Sequence, residues 1–577
     1  MRILTVQKVT MRAASRVLTG GIALCGLSAV AVCAASYPST PRTHLVFSSM
    51  GDYGAWDATP QETSAETHRK RGIALGKKGD LDGAIAEFRA ALKIKPNYAE
   101  AHNSLGTALF LQGELEDAIA EYRAALKINP NYAEAHDNLG GALDKKGDLD
   151  GAIAEVRAAL KINPNLAEAH NNLGDALRKS GDLDGAIAEF QVALKLDPND
   201  TEARGNLGAA LVDKGDLDGA ISDYRAALKI NPSFAGVHYD LGAALYKKGD
   251  LDGAIAEYNA ALKINPDFAE AHSDLAAALT SKGDLDSAIA ECRAALKINP
   301  NDADAHLNLG VSLAGKGDLD GAVAEFRAAL KVNPNFAEAH YNLGTALAQK
   351  GDLDSGIVEL QTAIKINPNY AAAYIKLGNE LSDKGDLDGA IAGYHAALKI
   401  NPNYADAHSN IGLVLARQGD LDGAIAEWRA ALKISPNYAD AHYNLGYVLF
   451  QKGDLAGAIA EYQAALRINP MLPDANSNLG QSLLTKGDLD AANAEYKIAQ
   501  GNALFGGGDA DGAIDNYQAA LRLNPNAADA HACLGLALEK KGDLNGALEE
   551  FRLTLELDPN FAAAKTASDR LTHAEKH

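Results

Sequence analysis

Apolar residues recur along most of this chain at the spacing of amphipathic helices. In residues 99–132, Leu105 and Leu109 fall on one face of a first predicted helix, and Ala118 and Tyr122 fall on one face of a second. A glycine-acidic segment separates the two helices, and Asn-Pro-Asn follows the second. The pattern predicts a helical hairpin.

The local sequence predicts where both helices begin and end. Gly113 supplies the turn, and Glu116 lies where the start of a helix favours negative charge. Lys127 lies near the end of the second helix, where positive charge is favoured, and Pro130 prevents that helix from continuing.

The same hairpin pattern returns every 34 residues, as the prolines show. They stand at Pro96, Pro130, Pro164, Pro198, Pro232, Pro266, Pro300, Pro334, Pro368, Pro402, Pro436 and Pro470, and again at Pro525 and Pro559. A period of this length predicts hairpins that stack on their neighbours and share one continuous core.

The repeated unit resembles the tetratricopeptide repeat (TPR) family, with His where Trp is usual and Leu where Tyr is usual. The matching positions in one unit are His102, Leu105, Gly106, Leu109, Ala118, Tyr122, Ala125 and Pro130. The resemblance runs from about Ala65 to Phe561. It implies an all-α fold, a right-handed superhelical solenoid of TPR helical hairpins.

The repeats, the breaks between them and the two ends predict a division of the chain into six segments. They are a signal peptide or signal anchor at 1–35, a flexible linker at 36–64, twelve 34-residue repeats at 65–472, two fused or truncated repeats at 473–527, a final repeat at 528–561 and a C-terminal capping helix at 562–577. The break arises because Pro470 and Pro525 lie 55 residues apart. We expect one fused helix around Ala491–Leu504, acting as a hinge or marking only a repeat-slippage scar.

Residues 1–35 contain no acid: four bases lie before residue 17, and an apolar stretch runs from Val17 to Ala35. This arrangement is typical of an export signal with small-residue cleavage sites, which places the protein in the periplasm or outside the cell. The alternative is an uncleaved anchor at residues 17–35 that holds the chain to a membrane.

The chain has 577 residues and a formal charge of −22, with acids spread along its whole length. Such a charge disfavours nucleic acid and anionic membrane surfaces, so the expected partners are proteins or peptides. Membrane contact is expected only through an uncleaved N-terminal segment.

No sequence motif for catalysis, metal binding or cofactor binding stands out, so we expect neither an enzyme nor a metal or cofactor site. Eleven His share one repeat position, but stacked helices hold equivalent atoms too far apart to share a metal ion. Cys292 occupies the position of Tyr122, and it and Cys533 are expected to be core residues.

By resemblance, the first helix of each repeat lines a concave groove with side chains equivalent to Asn103, Ser104, Thr107, Phe110 and Leu111. One of these positions carries an asparagine row of Asn138, Asn172, Asn206, Asn308, Asn342, Asn410, Asn444 and Asn478. The amides could pair with the backbone of an extended peptide. In this respect the row resembles the asparagine ladder in the repeats of the O-linked N-acetylglucosamine transferase. Alternatively, each Asn pairs with the neighbouring repeat.

Aromatic residues mark a second candidate site. Tyr443, Tyr447 and Phe450 form an i, i+4, i+7 stripe on one first helix, and Tyr239 and Tyr246 form a smaller stripe. Exposed aromatic side chains in a groove are typical binding hot spots. A carboxylate clamp of the chaperone-binding kind is not expected, because Asp and Asn replace the bases that it needs.

The sequence therefore predicts a protein-protein interaction scaffold that binds partners in the TPR groove. Two alternatives stay open: the repeat arm of a glycosyltransferase that lacks its catalytic domain, and a passive structural spacer.

Overall fold

The computed structural model describes residues 60–472 and 474–574, which form thirty α-helices and no β-strand. In chain order the helices are α1 Pro60–Lys77, α2 Leu81–Ile94, α3 Ala99–Gln112, α4 Leu115–Ile128, α5 Ala133–Lys146, α6 Leu149–Ile162, α7 Ala167–Ser180, α8 Leu183–Leu196, α9 Thr201–Lys214, α10 Leu217–Ile230, α11 Ala235–Lys248, α12 Leu251–Ile264, α13 Ala269–Lys282, α14 Leu285–Ile298, α15 Ala303–Gly315, α16 Leu319–Val332, α17 Ala337–Gln349, α18 Leu353–Ile366, α19 Ala371–Lys384, α20 Leu387–Ile400, α21 Ala405–Gln418, α22 Leu421–Ile434, α23 Ala439–Gln451, α24 Leu455–Ile468, α25 Ala475–Lys486, α26 Leu489–Gly506, α27 Ala510–Leu523, α28 Ala528–Lys541, α29 Leu544–Leu557 and α30 Ala562–Ala574.

From α1 to α24 the helices alternate as the first and second helix of twelve hairpins, here called repeats 1 to 12. The predicted all-α solenoid of helical hairpins is confirmed for the described residues. The predicted signal segment lies outside them, as does most of the linker. The first helix begins at Pro60, before the predicted start of repeat 1 at Ala65.

Glycine and aspartate set the turn inside each hairpin. Gly147 has a φ of 88°, a left-handed conformation that ends α5. One residue later Asp148 caps α6, where its Oδ1 accepts a hydrogen bond of 3.0 Å from the backbone N–H of Gly151. In repeat 2 Glu114 replaces this aspartate, and its longer side chain makes no hydrogen bond to the start of the helix. The shorter aspartate side chain is therefore better suited to cap the second helix.

Within a hairpin, the two helices approach closely because the first helix carries glycine where the second carries a large side chain. Tyr122 is fully buried against Gly106, and a Cβ placed on Gly106 would lie 2.8 Å from the Tyr122 ring. Alanines such as Ala118 and Ala125 fill the remaining narrow space and are also fully buried. The small residues therefore set the distance between the helices.

The chain divides into two compact parts, residues 1–325 and 326–577, with the boundary inside α16. In the described residues of the N-terminal part, each second helix packs against the first helix of the following repeat, as α10 does against α11. The same relation holds between α22 and α23 in the C-terminal part. Each part thus has a core that passes from repeat to repeat.

In the C-terminal part, one helix serves two hairpins. The 18-residue helix α26 packs against α25 as a second helix and against α27 as a first helix. Because this sharing shortens the chain path, the side chain of Arg467 in the last turn of α24 reaches Asp558 after α29, with Nε 2.5 Å from Oδ2. Residues Ala562–Ala574 then form α30, whose Leu571 is buried beside Phe551.

A buried polar cluster lies beside the shared helix. Glu495 and Asp529 are both enclosed, and the amide of Asn476 donates to both carboxyl groups, at 2.8 and 3.2 Å. Burial raises the pKa of both acids. The charge of Asp529 raises the pKa of Glu495 further, whereas a hydrogen bond with Glu495 lowers the pKa of Asp529. We infer that the pair holds a proton between its two carboxyl groups.

Candidate partner-binding groove

The first helices present two kinds of side chain: fully buried scaffold residues and residues on the groove side. In repeat 2 we expected five side chains to line the groove, but four of them, Asn103, Ser104, Thr107 and Phe110, are buried. Only Leu111 is open, at 43% exposed. Side chains from the next repeat cover the row: Asn138 donates to Asn103 at 3.0 Å, and the ammonium of Lys145 lies 4.8 Å from the Phe110 ring centre.

The asparagine row bonds mainly to the preceding repeat. Asn172 donates to Asp137 at 3.0 Å, and Asn206 donates to Asn171 at the same distance. Equivalent bonds run from Asn308 to Ser273, from Asn410 to Asn379 and from Asn478 to Tyr443. The amide donors thus link neighbouring repeats, which is the second of the two predicted roles.

Two members of the row differ. Asn342 donates within its own helix, to the backbone oxygen of Glu338 at 3.0 Å. Asn444 is half-buried, and its side chain makes no hydrogen bond to any residue that the structure describes. The amide donor and acceptor of Asn444 are therefore not used by any residue that the structure describes.

The bases of the N-terminal groove are already neutralised. Arg178 contacts Asp213 at 2.9 Å, and Lys179 contacts Asp144 at 2.6 Å and Asp175 at 2.7 Å. Three carboxylates thus surround two cations. This arrangement disfavours an anionic ligand at Arg178 and Lys179.

The smaller aromatic stripe is largely inside the protein. Tyr239 is only 4% exposed, its ring centre lies 4.9 Å from that of Phe268, and its hydroxyl donates to Asp274 at 2.8 Å. Burial raises the pKa of Tyr239, because its anion would lie in an apolar site beside a carboxylate. The prediction that Tyr239 is an exposed groove residue is wrong. Tyr246 is half-buried and lies 3.1 Å from the hydroxyl of Ser281.

The larger stripe lies on α23, as its spacing requires. Tyr443, Tyr447 and Phe450 are half-buried, and each packs on one side against the core beneath. The Tyr443 hydroxyl accepts a hydrogen bond of 3.0 Å from Asn478, and burial raises the pKa of Tyr443 to about 12. Each of the three side chains is therefore partly exposed to solvent.

Two groove residues that the sequence analysis missed adjoin this stripe. Leu413 on α21 is 36% exposed and occupies the position that Tyr447 has in repeat 12. Leu484 on α25 is 42% exposed and occupies the position of Phe450. Because α23 contacts both α21 and α25, the two leucines extend the aromatic stripe to either side. Comparing equivalent positions across repeats would have revealed them.

The repeated His residues each contact a glutamate through Nδ1 of the ring. In repeat 12, His442 places Nδ1 2.6 Å from Glu461 and Nε2 3.1 Å from the backbone oxygen of Pro436. Each of the eleven residues of the set makes the same contact with a glutamate of its own repeat. They are His68, His102, His136, His170, His238, His272, His306, His340, His408, His442 and His531. In the described part of the chain, no group of three or more His, Cys, Asp or Glu could hold a metal ion.

Both acceptors favour the protonated ring, and repeat 5 illustrates this. There Arg204, a permanent cation, takes the position of His and contacts Asp223 at 3.7 Å and the backbone oxygen of Pro198 at 3.1 Å. For His442, burial lowers the pKa, but the bonds to Glu461 and the Pro436 oxygen outweigh it and raise the pKa above its ordinary value. Hydrogen bonds to Glu121 and Glu550 likewise raise the pKa of two further members, His102 and His531.

No helix within residues 60–472 and 474–574 combines the length and the apolar character that a membrane span requires. Both free cysteines of this region, Cys292 and Cys533, are buried.

Several solved structures resemble this chain. The crystal structure of the APC/C hetero-tetramer Cut9-Hcn1 is 14% identical, covers 82% of this chain and 96% of its own, and gives a TM-score of 0.41. The crystal structure of MamA is 31% identical over 29% of this chain and 97% of its own, with a TM-score of 0.27. The structure of YrrB, described as a TPR protein with an unusual peptide-binding site, is 27% identical over 32% and 95%, with a TM-score of 0.28. A comparison with curated protein sequences gives no match.

Protein-family models match almost the whole described region. A model described as "TPR repeat" matches residues 208–249, 244–281, 277–317, 378–419, 414–453, 446–487 and 501–542. Models described as "Tetratricopeptide repeat" match residues 69–133, 117–167, 138–201, 307–371 and 528–561. With this coverage and the helical hairpins described above, the chain belongs to the tetratricopeptide repeat family.

Proposed function

We propose that the chain is an interaction scaffold that holds a protein or peptide partner on one apolar patch of its groove. The patch, here called the aromatic patch, consists of Leu413, Tyr443, Tyr447, Phe450 and Leu484. One observation carries the proposal: large apolar side chains remain partly or largely exposed on adjoining first helices, although Leu445 and Leu449 already fill the core of α23.

The chemistry of the patch suits an apolar segment with some polar backbone. Half-buried aromatic side chains lose little conformational entropy on binding, because packing on one side already orders them. Tyrosine also adds a hydroxyl at the edge of its ring. The side-chain amide of Asn444 lies beside Tyr443 in the sequence and offers a donor and an acceptor to a peptide backbone. These features together favour recognition of a short apolar stretch in an extended or helical segment.

The test is selection of binding peptides from a displayed library of random short sequences, using the full chain as bait. We expect selected peptides to be apolar and to bind the parent chain. A Leu413→Ser, Leu484→Ser double variant should weaken their binding at least tenfold, because hot-spot truncations typically cost 2 kcal/mol or more. Both leucines are exposed, so the substitutions leave the core unchanged.

A matched control uses an equally open apolar residue outside the groove. Val358 on α18 is 58% exposed and takes the place of an alanine on the outer side of a second helix. Val358→Ser should leave peptide binding unchanged. A photocrosslinking residue should capture the peptide at position 484 and not at position 358. Equal effects at both positions would refute the groove proposal, and failure to select any binding peptide would favour the passive spacer.

Export of the protein is a separate proposal that is supported by the sequence of residues 1–35. Its test is the N-terminal mass of the mature protein recovered from cells. Cleavage after one of the small residues before position 36 supports a signal peptide, whereas an intact N-terminus in the membrane fraction supports the anchor.

A further inference from the structure

Two phenylalanines at one position of the first helices are covered by a lysine from the following hairpin. In the N-terminal part, the ammonium of Lys145 lies 4.8 Å from the ring centre of Phe110. In the C-terminal part, the ammonium of Lys540 lies 4.4 Å from the ring centre of Phe505. In both pairs the lysine follows the phenylalanine by 35 residues, which is one repeat and one further position. The negative face of the ring attracts the ammonium group.

Phe450 of the aromatic patch has the same position in its helix but lacks such a cation. The residue 35 positions after it is Thr485, which carries no charge. Phe450 is half-buried, and in the described part of the chain no lysine or arginine lies over its ring. The exposed part of this ring therefore attracts a cation that the protein itself does not supply.

Three aspartates stand at the start of the helices that carry the patch. Asp406 and Asp440 lie in the first turns of α21 and α23, and Asp474 immediately precedes α25. Among the residues that the structure describes, none of the three forms an ion pair with a base. The side chain of Asp474 also makes no hydrogen bond to the start of its helix. The three aspartates are here called the acidic edge.

The acidic edge is close enough to act on tyrosines at the patch. Burial raises the pKa of Tyr443, and the charge of Asp474 raises it further. Burial likewise raises the pKa of Tyr438, just before α23, and the charges of Asp406 and Asp440 raise it further. A tyrosine pKa that neighbouring carboxylates raise reports a negative potential at the hydroxyl. The aromatic rings and the aspartates thus favour the same kind of ligand group, a cation.

The bases of the patch helices lie far from the acidic edge. Arg417, Lys452 and Lys486 stand at the other ends of these helices, eleven or twelve residues after the aspartates, which is about 16–18 Å along a helix. The Debye length at physiological ionic strength is about 8 Å, so these bases hardly screen the edge. Arg417 also donates to the hydroxyl of Ser382 at 2.7 Å.

The second helices before the patch helices also end in bases, but these do not face the groove. Lys399 on α20 and Lys433 on α22 are exposed, and each lies two residues after a fully buried alanine. Two residues correspond to about 200° around a helix, so both lysines are on the side away from the core. Arg467 at the end of α24 contacts Asp558 instead.

We propose that the aromatic patch binds a basic apolar segment of its partner, with one lysine or arginine over Phe450 and others at the acidic edge. This inference rests on the proposed function and adds the charge of the partner segment to it. Apolar side chains of the segment pack on Leu413 and Leu484. An acidic segment is repelled by the three aspartates, and the formal charge of −22 of the chain adds to this repulsion.

The binding test uses the full chain and three short fluorescent peptides. One peptide alternates leucine and lysine, the second alternates leucine and glutamate, and the third alternates serine and lysine. The leucine–lysine peptide should bind at least about tenfold more tightly than either of the others, because only it offers both apolar side chains and cations. Added salt should weaken its binding.

Thr485→Lys tests the cation over Phe450 directly. It places a lysine in the relation to Phe450 that Lys145 has to Phe110. Because the new side chain competes for the ring and repels a cationic ligand, it should weaken binding of the leucine–lysine peptide about fivefold. Thr485→Gln adds length without charge and should change this binding by less than about twofold.

A triple variant with Asp406→Asn, Asp440→Asn and Asp474→Asn tests the acidic edge. It should bind the leucine–lysine peptide roughly tenfold more weakly, since each exposed ion pair contributes about twofold. Asparagine tolerates the left-handed backbone that Asp474 adopts, with a φ of 63°, so this substitution adds no strain.

The matched control removes the same charge from the first turns of the second helices α20, α22 and α26. Its substitutions are Asp388→Asn, Asp422→Asn and Asp490→Asn. This variant should change peptide binding by less than about threefold. Because both triple variants have the same net charge, a difference between them separates the acidic edge from the general attraction of an acidic chain for a basic peptide.

Several results would overturn the inference. They are a leucine–lysine peptide that does not bind, equal binding of the leucine–lysine and leucine–glutamate peptides, and equal losses in the two triple variants. A leucine–glutamate peptide that binds as well, but loses affinity in the Leu413→Ser, Leu484→Ser variant, would leave the proposed function intact. If that double variant binds the leucine–lysine peptide as tightly as the parent does, the patch is not the site and both proposals are wrong.

Discussion

We expect the same substitution, glycine to alanine, to have opposite effects on stability at two positions of α9, Gly205 and Gly208. Replacing either by alanine should favour the helix by about 1 kcal/mol, because glycine loses more backbone entropy on folding. Gly205 faces open space, and a new Cβ would lie 3.4 Å from Val237, an ordinary contact. Gly208 faces its own hairpin partner, and a Cβ there would lie 2.5 Å from the ring of Tyr224.

The Tyr224 ring has no room to move away, since it is only 2% exposed. Overpacking of this kind typically costs about 1–3 kcal/mol, which offsets or exceeds the gain in helix propensity. We therefore expect Gly205→Ala to stabilise repeat 5 by about 1 kcal/mol. Gly208→Ala should be neutral or destabilise it by up to about 2 kcal/mol.

Hydrogen exchange of peptides from α9 and α10 is the appropriate assay, because repeat proteins open locally and a single melting temperature averages over many repeats. The gap of about 1–3 kcal/mol between the two variants corresponds to a roughly five- to 150-fold difference in exchange rate. If Gly208→Ala protects these helices as well as Gly205→Ala does, glycine does not set the distance between the helices.

Three further predictions test other parts of the scaffold. Repeat 7 carries Ala276 where other repeats have glycine, opposite the small Cys292. Cys292→Tyr alone should therefore destabilise this repeat by about 1–3 kcal/mol, and Ala276→Gly should restore its stability in a double-mutant cycle followed by hydrogen exchange of α13 and α14. The pKa of His442 is higher in the folded protein than in the unfolded chain, where it is about 6.5. Protonated His442 therefore contributes its full stabilisation of the fold below the unfolded pKa, and this contribution is lost as pH rises through the pKa of the folded protein. Local hydrogen exchange in α23 and α24 should show this loss, and His442→Arg should abolish it. The pKa values of Glu495 and Asp529 are also raised in the folded state, so the stability that this pair contributes also falls as pH rises. Glu495→Gln should therefore stabilise the region around the shared helix by about 1–3 kcal/mol near pH 8. No change in the denaturant midpoint at that pH would contradict a shared proton.

The helices were predictable because each is specified several times by local sequence. The proline after the second helix, the left-handed glycine between helices and the aspartate cap all agree with the apolar period, so no long-range information was needed. The continuous helix Leu489–Gly506 also followed from the missing residues alone. The buried pair Glu495 and Asp529 did not, because it depends on helices that the sharing brings together.

Groove residues were harder to predict, because a side chain's exposure depends on its neighbours in adjacent repeats. Tyr239 and Tyr443 occupy the same position on their helices, yet Tyr239 is buried between Phe268 and its own core whereas Tyr443 stays half-open. The asparagine row likewise looked available until the preceding repeat supplied its acceptors. Helical spacing within one repeat carries no information about either outcome.

The aromatic patch is for the same reason a property of three repeats rather than of one helix. Tyr447 and Phe450 would form an isolated pair if positions 413 and 484 carried the small or polar residues found in most other repeats. Leucine at both positions widens the apolar surface across α21, α23 and α25, and the exposure of both leucines shows that the scaffold does not need them for its core. If the patch binds a partner as proposed, the two leucines supply contact area on either side of the aromatic side chains that one helix alone could not supply.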